Sequence, residues 1–425
     1  MMRRIEPYAR VEGAVKVPGD KSASHRALML SALAAGESTI EGLSPGLDVA
    51  GTGDIMEQLG ARRHHEADRV VVEGPVQGLR ASARALQCGN SGTTMRLLSG
   101  IVSAIEGTHR LEGDASLSRR PMDRVAVPLG LMGARVIGEG PRVTPPLTIT
   151  GSRHLRGIDY HVPTASAQVK SALLLAGLFA QGPTVVHEDV RTRTTTEDML
   201  RHAGVEVRSV DVGTGRQVHL SPRRPDPAHW RVATDPSQAA FFCVLGLIHH
   251  RGDVVVREVE NSPERIGFVS VLRRMGADLA ETVGATGVDL RARSSALRAT
   301  EVHAAEIPSV DEVPILSVAA AAAQGVSAFR DMGELRLKES DRFEGSMSLA
   351  RRLGCRVWSE GDDFFIEGLG GAEAFAPFSV NAGLDHRIVM SSAVAGAAGR
   401  GCDIDGADTV QSSYPGFFDD LASLQ

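Results

Sequence analysis

Lys21-Ser22-Ala23-Ser24-His25-Arg26, the apolar run 27–34, Gly36-Glu37-Ser38-Thr39-Ile40 and Leu59-Gly60-Ala61 follow one another as a unit that the rest of the chain repeats. Its closing signature sets a glycine between a small or apolar residue and the start of a new strand. It returns as Met132-Gly133-Ala134, Ala203-Gly204-Val205, Met275-Gly276-Ala277 and Leu353-Gly354-Cys355. These glycines are spaced 73, 71, 72 and 78 residues apart. The polar opening also recurs, at Gly89-Asn90-Ser91-Gly92-Thr93, Ser166-Ala167-Gln168, Asp235-Pro236-Ser237-Gln238, Asp311-Glu312 and Asp385-His386-Arg387, which makes six units. Self-similarity at a fixed period is the mark of a repeat architecture, in which each unit buries an apolar face that it cannot bury alone.

Within each unit the order is polar box, short apolar helix, strand, polar loop, second helix and closing strands. That alternation predicts an α/β chain. At 425 residues it is long enough for two or three domains. A sixth closing glycine would fall beyond Gln425, so the last unit lacks its final strand, and the strand expected at Val11–Val17 is predicted to complete that sixth unit. Residues 1–18 with 233–425 then form one domain of three units, and residues 19–232 the other. Pro18-Gly19 marks one crossing, and the joint Pro222 through Pro225 to Pro227 marks the second.

Composition narrows the function. With 42% hydrophobic and 23% charged residues, the chain reads as a globular protein with a sizeable core. A net charge of −6 gives no overall attraction to nucleic acid or an anionic membrane, so any basic site must be local. The opening Met1-Met2-Arg3-Arg4-Ile5-Glu6-Pro7 lacks the apolar run of a secretory signal. The stretch Ala239 to Ile248 falls far short of the roughly 20 residues that span a bilayer. Cys88, Cys243, Cys355 and Cys402 show no CxxC pairing, which fits neither a disulfide framework nor a zinc site, and a cytoplasmic location is expected. Only four of the 46 basic residues are lysine, namely Lys16, Lys21, Lys170 and Lys338. An ammonium can lose its proton where a guanidinium cannot, so lysines kept against an arginine background are candidates for chemistry.

Ser, Asp and Asn opening helices are ordinary N-caps one at a time. Six in equivalent positions suggest more. Around a pseudo-threefold axis in each domain, six helix N-termini can face an interdomain cleft, each with unpaired N–H groups and about half a positive charge, and such a cleft would hold anions. Standard nucleotide motifs fail: Gly19-Asp20-Lys21-Ser22 lacks the spacing of a phosphate loop, and Gly51-Thr52-Gly53 lacks the third glycine of a dinucleotide site. His64-His65 and His249-His250 are adjacent pairs that face apart. No metal or cofactor is expected.

Five strings carry a family resemblance. Pro18-Gly19-Asp20-Lys21-Ser22-Ala23-Ser24-His25-Arg26, Gly89 to Arg96, Gly113-Asp114 with Arg119-Arg120-Pro121-Met122, Leu337-Lys338-Glu339-Ser340-Asp341-Arg342 and Asp385-His386-Arg387 resemble the 5-enolpyruvylshikimate-3-phosphate synthases. The resemblance implies two similar domains of repeated βαβαββ-type units, an inside-out α/β barrel, closing on substrates between them. It implies transfer of the enolpyruvyl group of phosphoenolpyruvate to the 5-hydroxyl of shikimate 3-phosphate, by a monomer, with no nucleic acid or membrane partner. Lys21, Ser22, Arg26, Ser166, Ala167, Gln168, Arg193, Asp311 and Lys338 are expected at shikimate 3-phosphate. Lys21, Asn90, Gly92, Thr93, Arg120, Gln168, Lys338, Arg342 and Arg387 are expected at phosphoenolpyruvate. Lys21, Asp311 and Glu339 are expected to move protons, with Arg96, Asp341, His386 and Ser412 in support. Seven cations (Lys21, Arg26, Arg120, Arg193, Lys338, Arg342, Arg387) less Asp311 and Glu339 leave +5. The two phosphates and two carboxylates of the substrates bring about −5 to −6.

The chain departs from the family pattern at Ala167, where a serine is common, at Arg193, where a tyrosine is common, and at Ser412, where many members carry a lysine before an aromatic-Pro pair, here Tyr414-Pro415. Gly92 keeps the small residue that goes with glyphosate sensitivity. The sister transfer to UDP-N-acetylglucosamine is the first alternative, but Ser118-Arg119-Arg120-Pro121 lacks the cysteine typical of that loop. The second is a non-catalytic anion-binding or RNA-end-binding relative, against which the two carboxylates and the net charge argue.

Overall fold

Why the repeat folds as it does is visible in its two kinds of helix. The helices that follow the polar boxes are mostly apolar and almost wholly buried: Pro236–Ile248 and His386–Ala398 have every residue buried, as does Val313–Ala322. A helix without a polar face belongs inside a core. The second helix of each unit is amphipathic. Gly267–Arg274 buries Phe268, Val269, Val271 and Leu272 and ends on Arg273 and Arg274, cations suited to a helix C-terminus. The period glycines stand just beyond these second helices, with φ of +114° at Gly60, +108° at Gly133, +74° at Gly204, +89° at Gly276 and +105° at Gly354. Only a residue without Cβ turns the chain there at little cost, which is why glycine marks the period.

The computed structural model describes residues 1–284, 287–307 and 310–425. Its strands form six separate sheets and no closed barrel among the described residues. Five of the sheets share one pattern. A lead strand runs parallel to the strand after the first helix, and that strand pairs antiparallel with the outer hairpin of the unit. In the first unit Gly36–Glu41 pairs with Arg69–Gly74, which pairs with Arg62–Glu66. The same order recurs around Gly107–Glu112, Thr184–Glu188, Gly252–Val259 and Gln324–Arg330. The chain divides into two units, Met1–Asp20 with Ala233–Gln425 and Lys21–Val232, each with its own hydrophobic cluster.

The N-terminal strand corrects the sequence reading. Val11–Val15 is a strand, but it pairs parallel with Gly252–Val259 in the fourth unit, not the sixth. The sixth sheet is completed by Met2–Ile5, which runs antiparallel to Cys402–Asp405 beside Phe378–Asn381. The reason lies in the shared pattern: every unit needs a parallel lead strand, and the strand just upstream of Pro236 pairs elsewhere, so the fourth unit takes the one just upstream of Lys21. Likewise the first unit takes His229–Arg231 as its lead strand, in parallel with Gly36–Glu41.

The segment 222–227 belongs to the unit Lys21–Val232, since Arg224 donates to the carbonyls of Leu33, Ala34, Pro75 and Val76. The chain passes to the other unit only after Val232. There Asp20 N–H donates to Ala233 O (2.7 Å), Asp235 N–H donates to Pro18 O (2.9 Å) and Gly19 bridges Thr234. Arg265, buried, ties both stretches down through Asp20 and through Asp235 (3.0 Å).

Candidate active site

In the unit Lys21–Val232 the expected residues gather at the starts of three buried helices, Lys21–Leu33, Gly92–Ser103 and Ala167–Gly177. Ser91 and Ser166 cap the second and third by accepting from Thr94 N–H and Val169 N–H. The Lys21 ammonium is paired with the carboxylate of Asp48, in the first turn of Leu47–Gln58, and both are largely buried. Arg26 is held by Ser22 O (2.9 Å), Ser171 Oγ (2.8 Å) and Thr196 Oγ1 (2.6 Å). His25, one residue before, is buried against Thr52 Oγ1 (2.7 Å). Burial, then the charges of Lys21 and Arg26, press its pKa well below the usual imidazole value, so it stays neutral.

The second box forms a bracing network. Asn90 donates to Asp114 (2.6 Å) and accepts from Arg120 Nη2 (2.7 Å). Gln168 donates to Thr93 Oγ1 (2.9 Å) and accepts from Arg96 Nη1 (2.6 Å). Arg120 is 5% exposed, and Gly92 lies so near it that a Cβ there would stand 3.0 Å from Arg120 Nη1 and from Arg96 Nη1. Ala167 is the first residue of its helix and adds no polar group. Arg193 lies half-buried between Thr184–Glu188 and Thr195–His202.

The other unit centres on Arg342, which is 1% exposed and meets three carboxylates. Its Nη1 donates to Asp311 (3.0 Å), Nη2 lies 2.7 Å from Glu339, and Nε donates to Asp385 (2.8 Å). Lys338 Nζ is 3.8 Å from Asp311. Arg387 reaches the same aspartate through the carbonyl (3.1 Å) and the carboxylate (3.5 Å). Asp385 caps His386–Ala398 by accepting from Arg387 N–H and also accepts from Ser340 Oγ (2.8 Å). Asp341 caps Arg342–Leu353 and so fixes the turn that carries Arg342. Ser412 Oγ donates to Thr409 O and lies 3.3 Å from His386 Nδ1.

Three cations and three carboxylates thus share one cluster, and Lys338, Arg342 and Asp385 are shifted within it. Burial lowers the Lys338 ammonium below the ordinary lysine value, with Asp311 opposing and Arg342 adding to the shift. For Arg342, burial is overcome by Asp385, Glu339 and Asp311, and its pKa rises. For Asp385, burial is likewise overcome by Arg342, and its carboxyl sits below the usual range.

The charges of two acids escaped the sequence reading. Asp48 carries no motif signal, and Asp385 stands there in a box and a family string with no site role; its zero side-chain exposure beside a buried arginine is a tertiary fact. Counting both lowers the +5 of the named groups to +3, so the match to the substrate charge is looser than the sequence suggests.

Among known proteins, the chain matches the family model described as EPSP synthase (3-phosphoshikimate 1-carboxyvinyltransferase) over residues 5–421. It is 43% identical over 421 residues to the 3-phosphoshikimate 1-carboxyvinyltransferase of Nitrobacter hamburgensis, covering 95% of this chain and 93% of that one. Its fold matches the EPSP synthase structure from Acinetobacter baumannii with a TM-score of 0.85 and 38% identity, over 100% of this chain and 98% of that one. The enolpyruvyl transferase NikO from Streptomyces tendae, 19% identical with a TM-score of 0.79 and coverage of 100% and 97%, shares the fold.

Proposed function

The chain belongs to the EPSP synthase family, and from that premise we propose how its residues divide the work. The reaction is transfer of the enolpyruvyl group of phosphoenolpyruvate to the 5-hydroxyl of shikimate 3-phosphate, with release of phosphate, a step of the shikimate pathway to chorismate and the aromatic amino acids. It runs by addition and elimination. In addition, the methylene carbon gains a proton while the 5-hydroxyl oxygen bonds to the neighbouring carbon and loses its own. In elimination, the new methyl group gives a proton back as the bond to the phosphate oxygen breaks.

The single observation that carries the assignment is the Arg342 hub. Asp311 and Glu339 both stand on one buried guanidinium, 3.0 and 2.7 Å away, so two proton carriers share a cation that suits a substrate carboxylate or phosphate. Glu339 delivers and recovers the proton at the methylene carbon. Asp311 takes the proton of the 5-hydroxyl, the Lys21 ammonium stabilising that oxygen as it does so, and Lys21, oriented by Asp48, assists the departing phosphate. Ser22, Arg26, Ser166, Gln168, Arg193 and Lys338 hold shikimate 3-phosphate. Asn90, Gly92, Thr93, Arg120, Arg342 and Arg387 hold phosphoenolpyruvate, with Lys21, Gln168 and Lys338 near both. Ser412 binds no phosphate directly on this reading and instead steadies His386. The scheme uses no cofactor and a single copy of the chain, working in the cytoplasm.

The test is phosphate release from phosphoenolpyruvate, without added metal or nucleotide, given shikimate 3-phosphate, UDP-N-acetylglucosamine or no acceptor. Release with shikimate 3-phosphate alone is expected, and light scattering of the active sample is expected to give one chain. Release with UDP-N-acetylglucosamine instead would overturn the substrate assignment.

A further inference from the structure

Of the four lysines, Lys16 is exposed and paired with Glu258, and Lys21 and Lys338 belong to the site already described. Lys170 is different. It sits one turn after Ser166 on the buried helix Ala167–Gly177, with a side-chain exposure of 0%, and touches two carboxylates of equal burial, Glu188 at 2.8 Å and Glu197 at 2.7 Å. Glu188 ends the strand Thr184–Glu188, and Glu197 lies in the first turn of Thr195–His202. The loop between them, 189–194, carries Arg193. One ammonium therefore staples both ends of that loop to the helix that presents Ser166.

The loop has further ties. Thr192, buried within it, donates to Glu188. Thr196, beside Glu197, joins Ser171 Oγ (2.6 Å) and Arg26 Nε (2.6 Å). Neither oxygen of Glu197 makes a hydrogen bond of good geometry among the described residues, so its compensation is the charge of Lys170. A buried carboxylate that loses its cation is strongly destabilised. Here a compact ammonium is set between two enclosed carboxylates, in a chain that elsewhere uses the wider, flat guanidinium.

We propose that Lys170, with Glu188 and Glu197, is a positioning residue for the acceptor substrate: it sets the loop that carries Arg193, and with it the Thr196 brace on Arg26, for binding the phosphorylated acceptor. The proposal rests on the reading of Arg193 and Arg26 as shikimate 3-phosphate residues. It predicts an effect concentrated on one substrate, because the residues assigned to phosphoenolpyruvate alone, Asn90, Gly92, Thr93, Arg120, Arg342 and Arg387, stand on other boxes.

Lys170→Met alone strands two buried carboxylates, so the test uses the charge-free triple variant Lys170→Met/Glu188→Gln/Glu197→Gln, with melting curves to establish that it folds. The KM for shikimate 3-phosphate is expected to rise about tenfold (a 1.4 kcal/mol effect), with kcat and the KM for phosphoenolpyruvate nearly unchanged and faster hydrogen exchange in 189–194. In an Arg193→Ala background the same triple change is expected to add little, since both act through Arg193. A merely structural role would lower the melting temperature and the active fraction without splitting the two KM values, and that result overturns the proposal. So does an effect that multiplies fully with Arg193→Ala. Arg193→Ala alone leaving the KM for shikimate 3-phosphate unchanged would overturn it at its premise, through the assignment of Arg193. Should the triple variant not fold, Thr192→Val reads the same split, and parental KM values for it would count against the proposal.

Discussion

Replacing Arg342 by Met keeps the length of the stem and removes the charge from three carboxylates at once. Arg342 is 1% exposed, Asp385 0%, Glu339 18% and Asp311 21%, so at least the Arg342–Asp385 pair lies wholly outside solvent. Removing one partner of a buried pair costs about 3–5 kcal/mol. For a domain of this size, each kcal/mol moves the melting temperature by roughly 2–4 °C, so a loss of roughly 6–20 °C is expected near neutral pH. The pH dependence is the sharper test. In the parent the Asp385 carboxyl is held below its unfolded value, so its contribution is present above that value and is lost as pH falls through the folded pKa. Without Arg342, burial acts unopposed and raises the carboxyl. Its contribution is then present at acid pH and is lost as pH rises. The gap in melting temperature between parent and variant must therefore widen from pH 5 to pH 8. Calorimetry across that range measures the gap, and hydrogen exchange should quicken in Val313–Ala322 while Lys21–Leu33 stays protected. Parallel curves across the range would refute the claim that Asp385 stays ionised because of Arg342.

Glu339→Gln and Asp311→Asn should each lower kcat by about 10²–10⁴, with far smaller changes in KM, in steady-state assays of phosphate release; near-parental turnover would remove them from proton transfer. Because the Lys338 pKa is lowered, its charge is lost below the pH at which an exposed lysine, near about 10.4, would lose it. The KM for phosphoenolpyruvate should accordingly climb on the alkaline side in the parent, and Lys338→Arg should move that climb to higher pH. In Gly92→Ala the new Cβ displaces the tips of Arg120 and Arg96, flexible groups, from a backbone position that needs no glycine. Stability should hold, while the KM for phosphoenolpyruvate and the inhibition constant for glyphosate rise together by about tenfold (about 1.4 kcal/mol); inhibition that does not compete with phosphoenolpyruvate would refute the placement of Gly92.

The repeat was legible because its punctuation is backbone chemistry. Gly60, Gly133, Gly204, Gly276 and Gly354 all adopt left-handed φ after an amphipathic helix, and only sequence-local constraints are needed to place them. Strand exchange was not legible. Val11–Val15 announces a strand by its residues, but nothing in them says which edge it joins, and Met2–Ile5, with three exposed residues, gives almost no strand signal. At the site, the cations and boxes stand out as strings. The partners that decide their behaviour, Asp48 for Lys21, Asp385 for Arg342, and Glu188 with Glu197 for Lys170, are brought in from 27, 43, 18 and 27 residues away, and even Asp385, which stands in a box of its own, bears no sign of its pairing with Arg342.

The placement of Met2–Ile5 and Val11–Val15 among strands from the far end of the chain also bears on how the protein is made. Residues 21–232 are contiguous and hold all four strands of each of their three sheets, so that unit can fold as soon as it has left the ribosome. Met2–Ile5 and Val11–Val15 cannot pair at that stage, because their partners Cys402–Asp405 and Gly252–Val259 come later. At roughly 5–20 residues per second, the stretch from 233 to 425 takes about 10–40 s to emerge. Through that interval Met2–Ile5 waits unpaired, and the last unit closes only when Cys402–Asp405 reaches it.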